Sequence, residues 1–274
     1  MLGSVRGYRD GMRVVVFGAT GNVGTSLLPA LAADPAVESI LGIARRRPEL
    51  DFPKTEWAVA DIADGDLTPL VRDADAVVHL AWLIQPSHEV ARLRRTNVDG
   101  SIRVFRAVAE ANVPALVYAS SVGAYSAGQK DRLVDESWPT NGISTSFYAR
   151  QKAEVERLLD RFERESPTAR VVRLRPGLIF KRQAASGIRR LFGGPFLANP
   201  LLRPNLIPFV PDLRNLRFQA VHSHDVGEAY RLAVTREVRG AFNIAAEPVS
   251  WARRSSAASC APDLSVFPRG PCGS

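Results

Sequence analysis

Val14-Val15-Val16-Phe17-Gly18-Ala19-Thr20-Gly21-Asn22-Val23-Gly24 sets an unbroken apolar run against a turn with a glycine at every third position. Such a run, rich in β-branched residues and without polar alternation, reads as a strand covered on both faces, as in a parallel sheet. The turn must then lead straight into a helix, and each glycine has its own task there. Gly18 permits the tight turn, Gly21 removes the Cβ that would block a pyrophosphate, and Gly24 lets the helix pack closely on the strand. Phosphates would sit at the helix N-terminus, where unpaired N–H groups and the positive end of the helix dipole face them. Thr20, Asn22 and Val23 lie within this turn and join the three glycines as expected contacts of a bound dinucleotide. Val23, Leu27 and Leu31 follow at i, i+4 and i+8, giving the helix an apolar stripe.

Further strands read at Ile40–Ala44, Trp57–Ala60, Ala76–Leu80, Ala115–Ala119 and Arg170–Leu174, with helical patterns between them, notably Asn97–Ala111 and Phe147–Glu165. Strands alternating with helices imply right-handed crossovers and a doubly wound, Rossmann-type parallel α/β sheet. The end of the second strand bears on the cofactor. In dinucleotide folds an acidic residue there accepts bonds from the adenosine ribose, whereas arginine accommodates a 2′-phosphate. This chain has Ala44 followed by Arg45, Arg46 and Arg47, which favours NADP over NAD because a guanidinium binds phosphate bidentately. The alternative is a solvated arginine loop. Asp61-Ile62, past the third strand, would place a carboxylate near the adenine amine.

With 274 residues, 46% of them hydrophobic, the chain is long enough for one large core plus a small lobe. No apolar run approaches the roughly 20 residues of a membrane span, and no signal-peptide pattern opens the chain, so a cytoplasmic protein without membrane contact is expected. The net charge of +8 is spread over scattered arginines without a basic block, which argues against a nucleic-acid partner. Cys260 and Cys272 have no metal or disulfide spacing, and His222-x-His224-Asp225 reads better as the start of the last helix than as a metal site. Residues 1–12 read as an extension, with Met12 as a plausible start. Residues 13–250 read as the dinucleotide-binding domain, with a small C-terminal substrate-binding lobe contributed mainly by 181–217. Residues 251–274 shift to Ser, Pro, Arg and Cys and read as an atypical tail, frame-shifted or truncated.

Tyr148-Ala149-Arg150-Gln151-Lys152 puts a phenol and an ammonium at i and i+4, on one face of a helix. A phenol titrates near ~10, so a base working near neutrality needs roughly 4 kcal/mol of phenolate stabilisation. Lys152 and an oxidised nicotinamide are the natural sources of that positive charge. Ser120 and Ser121 close the fifth strand at the carboxyl edge, where open α/β sheets bind ligands. A serine there can hold a substrate oxygen against the tyrosine, or simply cap a helix.

With these motifs in place the chain resembles the extended branch of the short-chain dehydrogenase/reductase superfamily, the NAD-dependent epimerase/dehydratase-like proteins, from about Arg13 to about Glu247. The resemblance rests on Gly18–Gly24, His79-Leu80-Ala81, Thr96-Asn97-Val98-Asp99-Gly100, Ser120-Ser121, Tyr148 with Lys152, Arg175-Pro176-Gly177, Val221–Val226 and Phe242–Ala245. It implies Ser121 as the catalytic serine, Tyr148 as the acid/base and Lys152 as the residue that holds the nicotinamide ribose and lowers the tyrosine pKa. It implies a mainly structural role for Asn97 and places Asn97, Leu80, Ala81 and Pro176 around the cofactor. Phe17 stands where the family often has threonine before the first glycine. Arg173-Leu174-Arg175-Pro176-Gly177-Leu178-Ile179-Phe180 lacks the asparagine that nucleotide-sugar enzymes carry in this segment. It looks more like members similar to hydroxysteroid dehydrogenases and dihydroflavonol reductases.

The leading expectation is therefore an NAD(P)-dependent oxidoreductase interconverting a secondary alcohol and a ketone, with a small-molecule substrate. A sugar or nucleotide-sugar epimerase or dehydratase is the alternative, and a non-catalytic dinucleotide-binding protein the lesser one. Trp82, Leu83 and Ile84, with Phe192, Phe196 and Phe209, would line a pocket for a less polar substrate, or serve as ordinary packing. Family resemblance further implies a homodimer.

Overall fold

The computed structural model describes residues 11–84, 89–128, 133–181, 217–247 and 250–251. The extension through residue 10, most of the expected substrate lobe (182–216, with its three phenylalanines) and the tail from 252 lie outside them.

The opening run forms β1 (Met12–Phe17), which leads through the glycine turn into α1 (Gly24–Ala33). The chain continues through β2 (Val37–Ala44), β3 (Thr55–Val59), α2 (Thr68–Val71), β4 (Ala76–His79) and α3 (Val90–Arg94). A π-helical turn (Arg95–Asp99) joins α3 to α4 (Gly100–Glu110), followed by β5 (Ala115–Ala119), a 3-10 turn (Val122–Ala124) and α5 (Phe147–Glu165). Then come β6 (Arg170–Pro176), β7 (Leu178–Phe180), β8 (Arg217–Phe218), β9 (Ala220–His222), α6 (Ser223–Thr235), β10 (Gly240–Ile244) and β11 (Ser250–Trp251).

Seven strands form one sheet in the order β10-β6-β5-β4-β1-β2-β3, with every neighbouring pair parallel. β1 is central, Val14 lying opposite Ile40 of β2 on one side and Ala76 of β4 on the other. Its four buried apolar residues divide by parity. Val14 and Val16 join the core with Leu27 and Leu31 of α1 and Tyr230 of α6, while Val15 and Phe17 join Val104, Phe105, Val155 and Leu159 of α4 and α5. Two covered faces explain why the sequence run does not alternate. Sheet order reverses at β1 and β4, whose carboxyl ends open the crevice where such folds bind ligands.

Close approach at the glycine turn is measurable. Gly18 has φ of +79°, and a Cβ there would lie 2.7 Å from the Ala81 nitrogen. A Cβ on Gly24 would lie 2.3 Å from the Ala19 carbonyl oxygen. Both obstacles are backbone and cannot rotate away. Gly24→Ala is expected to lose about 1–3 kcal/mol of stability, read as a lower denaturant midpoint. A variant as stable as the parent would contradict the tight helix–strand packing.

The helix expected at Asn97–Ala111 begins earlier, at Val90, and carries the π-helical turn. Asn97 lies in that turn and bonds outside the helix. The side-chain oxygen accepts from the Leu83 backbone N–H (2.8 Å), and Nδ2 donates to the Leu83 carbonyl (3.0 Å) and to Gln151 Oε1 (2.9 Å). One carboxamide thus fastens the segment after β4 to α5. None of the helices among the described residues is long and apolar enough to cross a membrane.

Candidate active site

β5 delivers Ser120 and Ser121 to the carboxyl edge, and the two serines part there. Ser120 Oγ donates to Glu156 Oε1 at 2.5 Å and is buried. Ser121 caps the following 3-10 turn, its Oγ accepting from the Gly123 N–H at 3.0 Å. Ser121 and Tyr148 converge on Gly123, and the serine acts to lower the pKa of the phenol. Gly123 makes room for this meeting, since a Cβ there would lie 3.0 Å from Tyr148 Cε1. Nothing in the local sequence marked Gly123 for that task.

Tyr148 and Lys152 sit in the first turns of α5, whose N-terminus Ser146 caps by accepting from the Ala149 N–H at 3.2 Å. Lys152 Nζ donates to the Ala119 carbonyl at 2.6 Å and lies 3.5 Å from the centroid of the Trp82 ring. The Tyr118 and Tyr148 ring centroids are 5.1 and 5.8 Å from the same ammonium. Lys152 is 3% exposed, and burial holds its pKa well below the ordinary lysine value, partly offset by the charge of Glu156. Burial also raises the Tyr148 phenol, and Ser121 offsets this only in part. In the free chain, then, Tyr148 is a protonated phenol throughout the neutral range, a donor rather than a base.

Behind the site lies a buried ion network. Glu156, fully shielded from solvent, takes bonds from Arg175 Nε at 2.8 Å and Nη2 at 3.0 Å, and from Arg173 Nη1 at 3.1 Å. Burial raises its pKa, but the bonds from Arg175, Ser120 and Arg173 outweigh that and leave it below the usual carboxylate value. Arg175 also donates to the Tyr125 hydroxyl (3.0 Å), which donates to Asn243 Oδ1 (2.7 Å). Arg173 reaches Asp160 and Glu163 as well. Sequence reading passed over Glu156, although it stands one helical turn beyond Lys152 on the same face.

His79 is fully buried against Phe17, Phe105 and Tyr118, and its Nε2 meets Ser101 Oγ at 2.9 Å. Burial lowers its pKa to about 3, so it stays neutral and takes no part in proton transfer near neutrality. His222 Nδ1 accepts from the His224 N–H at 3.2 Å and caps α6.

The residues around the glycine turn fit a dinucleotide. The turn is closed beneath by Ala81, while Leu80 is held by its N–H on the Phe17 carbonyl at 2.9 Å. Thr20 is exposed; Asn22 and Val23 are half-buried. Asn22 Oδ1 is buried without a hydrogen-bond partner, an acceptor that a ligand donor would satisfy. Lys181, also unmarked by sequence reading, donates to Thr25 Oγ1 (2.7 Å) and Ser26 Oγ (3.0 Å) on the first turn of α1. A cation at that pole is poorly placed unless an anion joins it. Arg45, Arg46 and Arg47 are exposed just past β2. Asp61 is half-buried, its Oδ1 accepting from the Ala63 N–H at 2.9 Å, and Ile62 is buried. Pro176 is buried at the end of β6. Asn97 spends its side chain on Leu83 and Gln151 rather than facing the turn.

Comparison with known proteins matches residues 14–245 to the model of the NAD dependent epimerase/dehydratase family. A hybrid PKS-NRPS synthetase of Penicillium oxalicum is 30% identical over 177 residues, 59% of this chain and 4% of that protein. A decarboxylating sterol-4-alpha-carboxylate 3-dehydrogenase of Candida albicans is 28% identical over 192 residues, 64% of this chain and 54% of that one. The chain thus spans only part of each relative. Among solved structures, the UDP-N-acetylglucosamine 4-epimerase of Methanobrevibacter ruminantium superposes with a TM-score of 0.71 at 23% identity, covering 88% of this chain and 79% of that one.

Proposed function

The chain belongs to the NAD dependent epimerase/dehydratase family, a family of enzymes, and from that premise we propose an NAD(P)-dependent oxidoreductase that interconverts a secondary alcohol and a ketone. The observation that carries the reading is the convergence of Ser121 and Tyr148 on Gly123 at the carboxyl edge of the sheet, with Lys152 one helical turn along α5. In this reading the turn from Gly18 to Gly24 and Lys181 hold the pyrophosphate, Asp61 and Ile62 flank the adenine, and Lys152 holds the nicotinamide ribose. Bound there, the nicotinamide would supply the hydride donor or acceptor. Ser121 orients the substrate oxygen, and Tyr148 exchanges a proton with that oxygen as the neighbouring carbon changes oxidation state. A protonated phenol suits donation to a carbonyl; the reverse direction needs positive charge brought close to the ring. The Arg-Pro form of the β6 segment, with Arg175 committed to Glu156 and Tyr125, favours a less polar substrate over a nucleotide sugar. Residues 13–250 would form this domain, with its lobe drawn mainly from 181–217, and a homodimer is the expected assembly.

The test is titration with NADP and NAD, followed by a panel of ketones and alcohols read by nicotinamide absorbance. Net oxidation or reduction supports the proposal; conversion of substrate with no net change in absorbance indicates an epimerase instead. NADP is expected to bind more tightly through Arg45. Arg45→Ala should weaken NADP by about 10-fold or more, the worth of a charged hydrogen bond, while NAD affinity stays within about 2-fold. Equal losses for both would remove the 2′-phosphate assignment.

A further inference from the structure

The segment after β4 is held at two adjacent points, Ala81 against Gly18 and Leu83 by the two backbone bonds to Asn97. Between them Trp82 is half-buried, and its ring lies 3.5 Å from Lys152 Nζ with its plane at 78° to that of Tyr148, centroids 6.0 Å apart. The indole Nε1 is buried without a hydrogen-bond partner. Indole nitrogens in that position ordinarily find an acceptor, so the ring is held here by its face rather than by its polar edge.

Lys152 is enclosed by Ala119, Trp82, Tyr118 and Tyr148, with 3% exposure. An ammonium has three protons to place, and the Ala119 carbonyl takes one of them. A ribose hydroxyl at hydrogen-bond distance would occupy the same shell around Nζ as a ring at 3.5 Å. A sugar approaching from the side of the indole therefore competes with it for the ammonium. Ala119 is backbone in β5, Tyr118 is a core residue at 1% exposure, and Tyr148 is fixed in α5 with its ring against Gly123. Trp82 alone of the four is both half-exposed and outside a regular element, with no hydrogen bond on its side chain.

We propose that Trp82 is a displaceable cover on Lys152, whose indole holds the ammonium in the free protein and is pushed aside by the ribose hydroxyls of the dinucleotide, so that this residue sets cofactor affinity. The proposal rests on the cofactor reading above. Displacement exchanges a cation–π contact for hydrogen bonds to oxygen, and it exposes Lys152 toward the space in front of Tyr148. Cofactor entry and the readiness of the proton-transfer pair then become one event.

The experiment measures equilibrium binding of NADP and of ADP to the parent protein, Trp82→Phe and Trp82→Ala by calorimetry. ADP shares the pyrophosphate but lacks the nicotinamide ribose. Removing the cover should tighten NADP by about 10-fold in Trp82→Ala and by less in Trp82→Phe, because phenyl rings attract cations more weakly than indole. ADP affinity should be unchanged in both. Tryptophan emission of the parent should shift on adding NADP but not ADP, and the shift should be missing in Trp82→Phe. NADP binding that is unchanged or weaker in Trp82→Ala, with ADP binding intact, would overturn the cover and leave the cofactor reading standing. A parent protein that binds neither nucleotide would overturn both.

Discussion

Tyr148→Phe is expected to reduce kcat by about 10²–10⁴-fold, the usual worth of a positioned acid or base, while dinucleotide affinity changes by less than about 3-fold. The substitution removes one oxygen and leaves the ring in its place beside Gly123 and Trp82. Ser121 keeps its bond from the Gly123 N–H, so the serine stays oriented. Packing is therefore preserved and proton transfer alone is lost, which steady-state kinetics alongside a binding titration will separate. Activity within 3-fold of the parent would mean that another group moves the proton, and the oxidoreductase reading would lose its centre.

Glu156→Ala is expected to cost about 3–5 kcal/mol of stability, on the order of 10 °C in Tm. The carboxylate is the buried counter-charge of Arg175 and one of three carboxylates on Arg173, and its removal strands Arg175 in the interior while leaving Ser120 Oγ without its acceptor. The same carboxylate gives stability a pH dependence of known sign. Its folded-state pKa is depressed, so its contribution is complete above the ordinary glutamate value of about 4.3 and is lost as pH falls through the lower folded value. Thermal melts between neutral pH and pH 3 should show the parent losing an increment in that acid window that Glu156→Ala does not lose. Parallel pH profiles would show that the Glu156 carboxylate is not depressed in the folded protein.

The parts of the fold that were legible from sequence are those written in a local pattern. The apolar run of β1 and the glycine turn announce a central parallel strand, and α5 occupies Phe147–Glu165, the range its periodicity defines. The π-helical turn at Arg95–Asp99 was not legible, because a 3.6-residue period continues through it and the partner of its Asn97, Leu83, lies in another segment. The partition of Ser120 from Ser121 was equally hidden. Both are small hydroxyls at a strand end, and only the position of Glu156, set by the packing of α5 on β5 and β6, assigns one to the interior and the other to Tyr148. Trp82 could be read as pocket or packing from sequence; its place over Lys152 depends on where the segment after β4 is pinned. Pairings across elements, unlike periodicities within one, need the folded chain.

The carboxamide of Asn97 makes a single brace of two parts that share no peptide neighbours. Through Leu83 it grips the backbone next to Trp82, and through Gln151 it grips the residue next to Lys152. The backbone on either side of the gap that the indole spans is thus held to one planar amide, so the indole moves by turning its side chain while Lys152 stays where it is. A ligand that displaces the ring therefore meets an ammonium already aligned, and the cost of entry is confined to one rotamer.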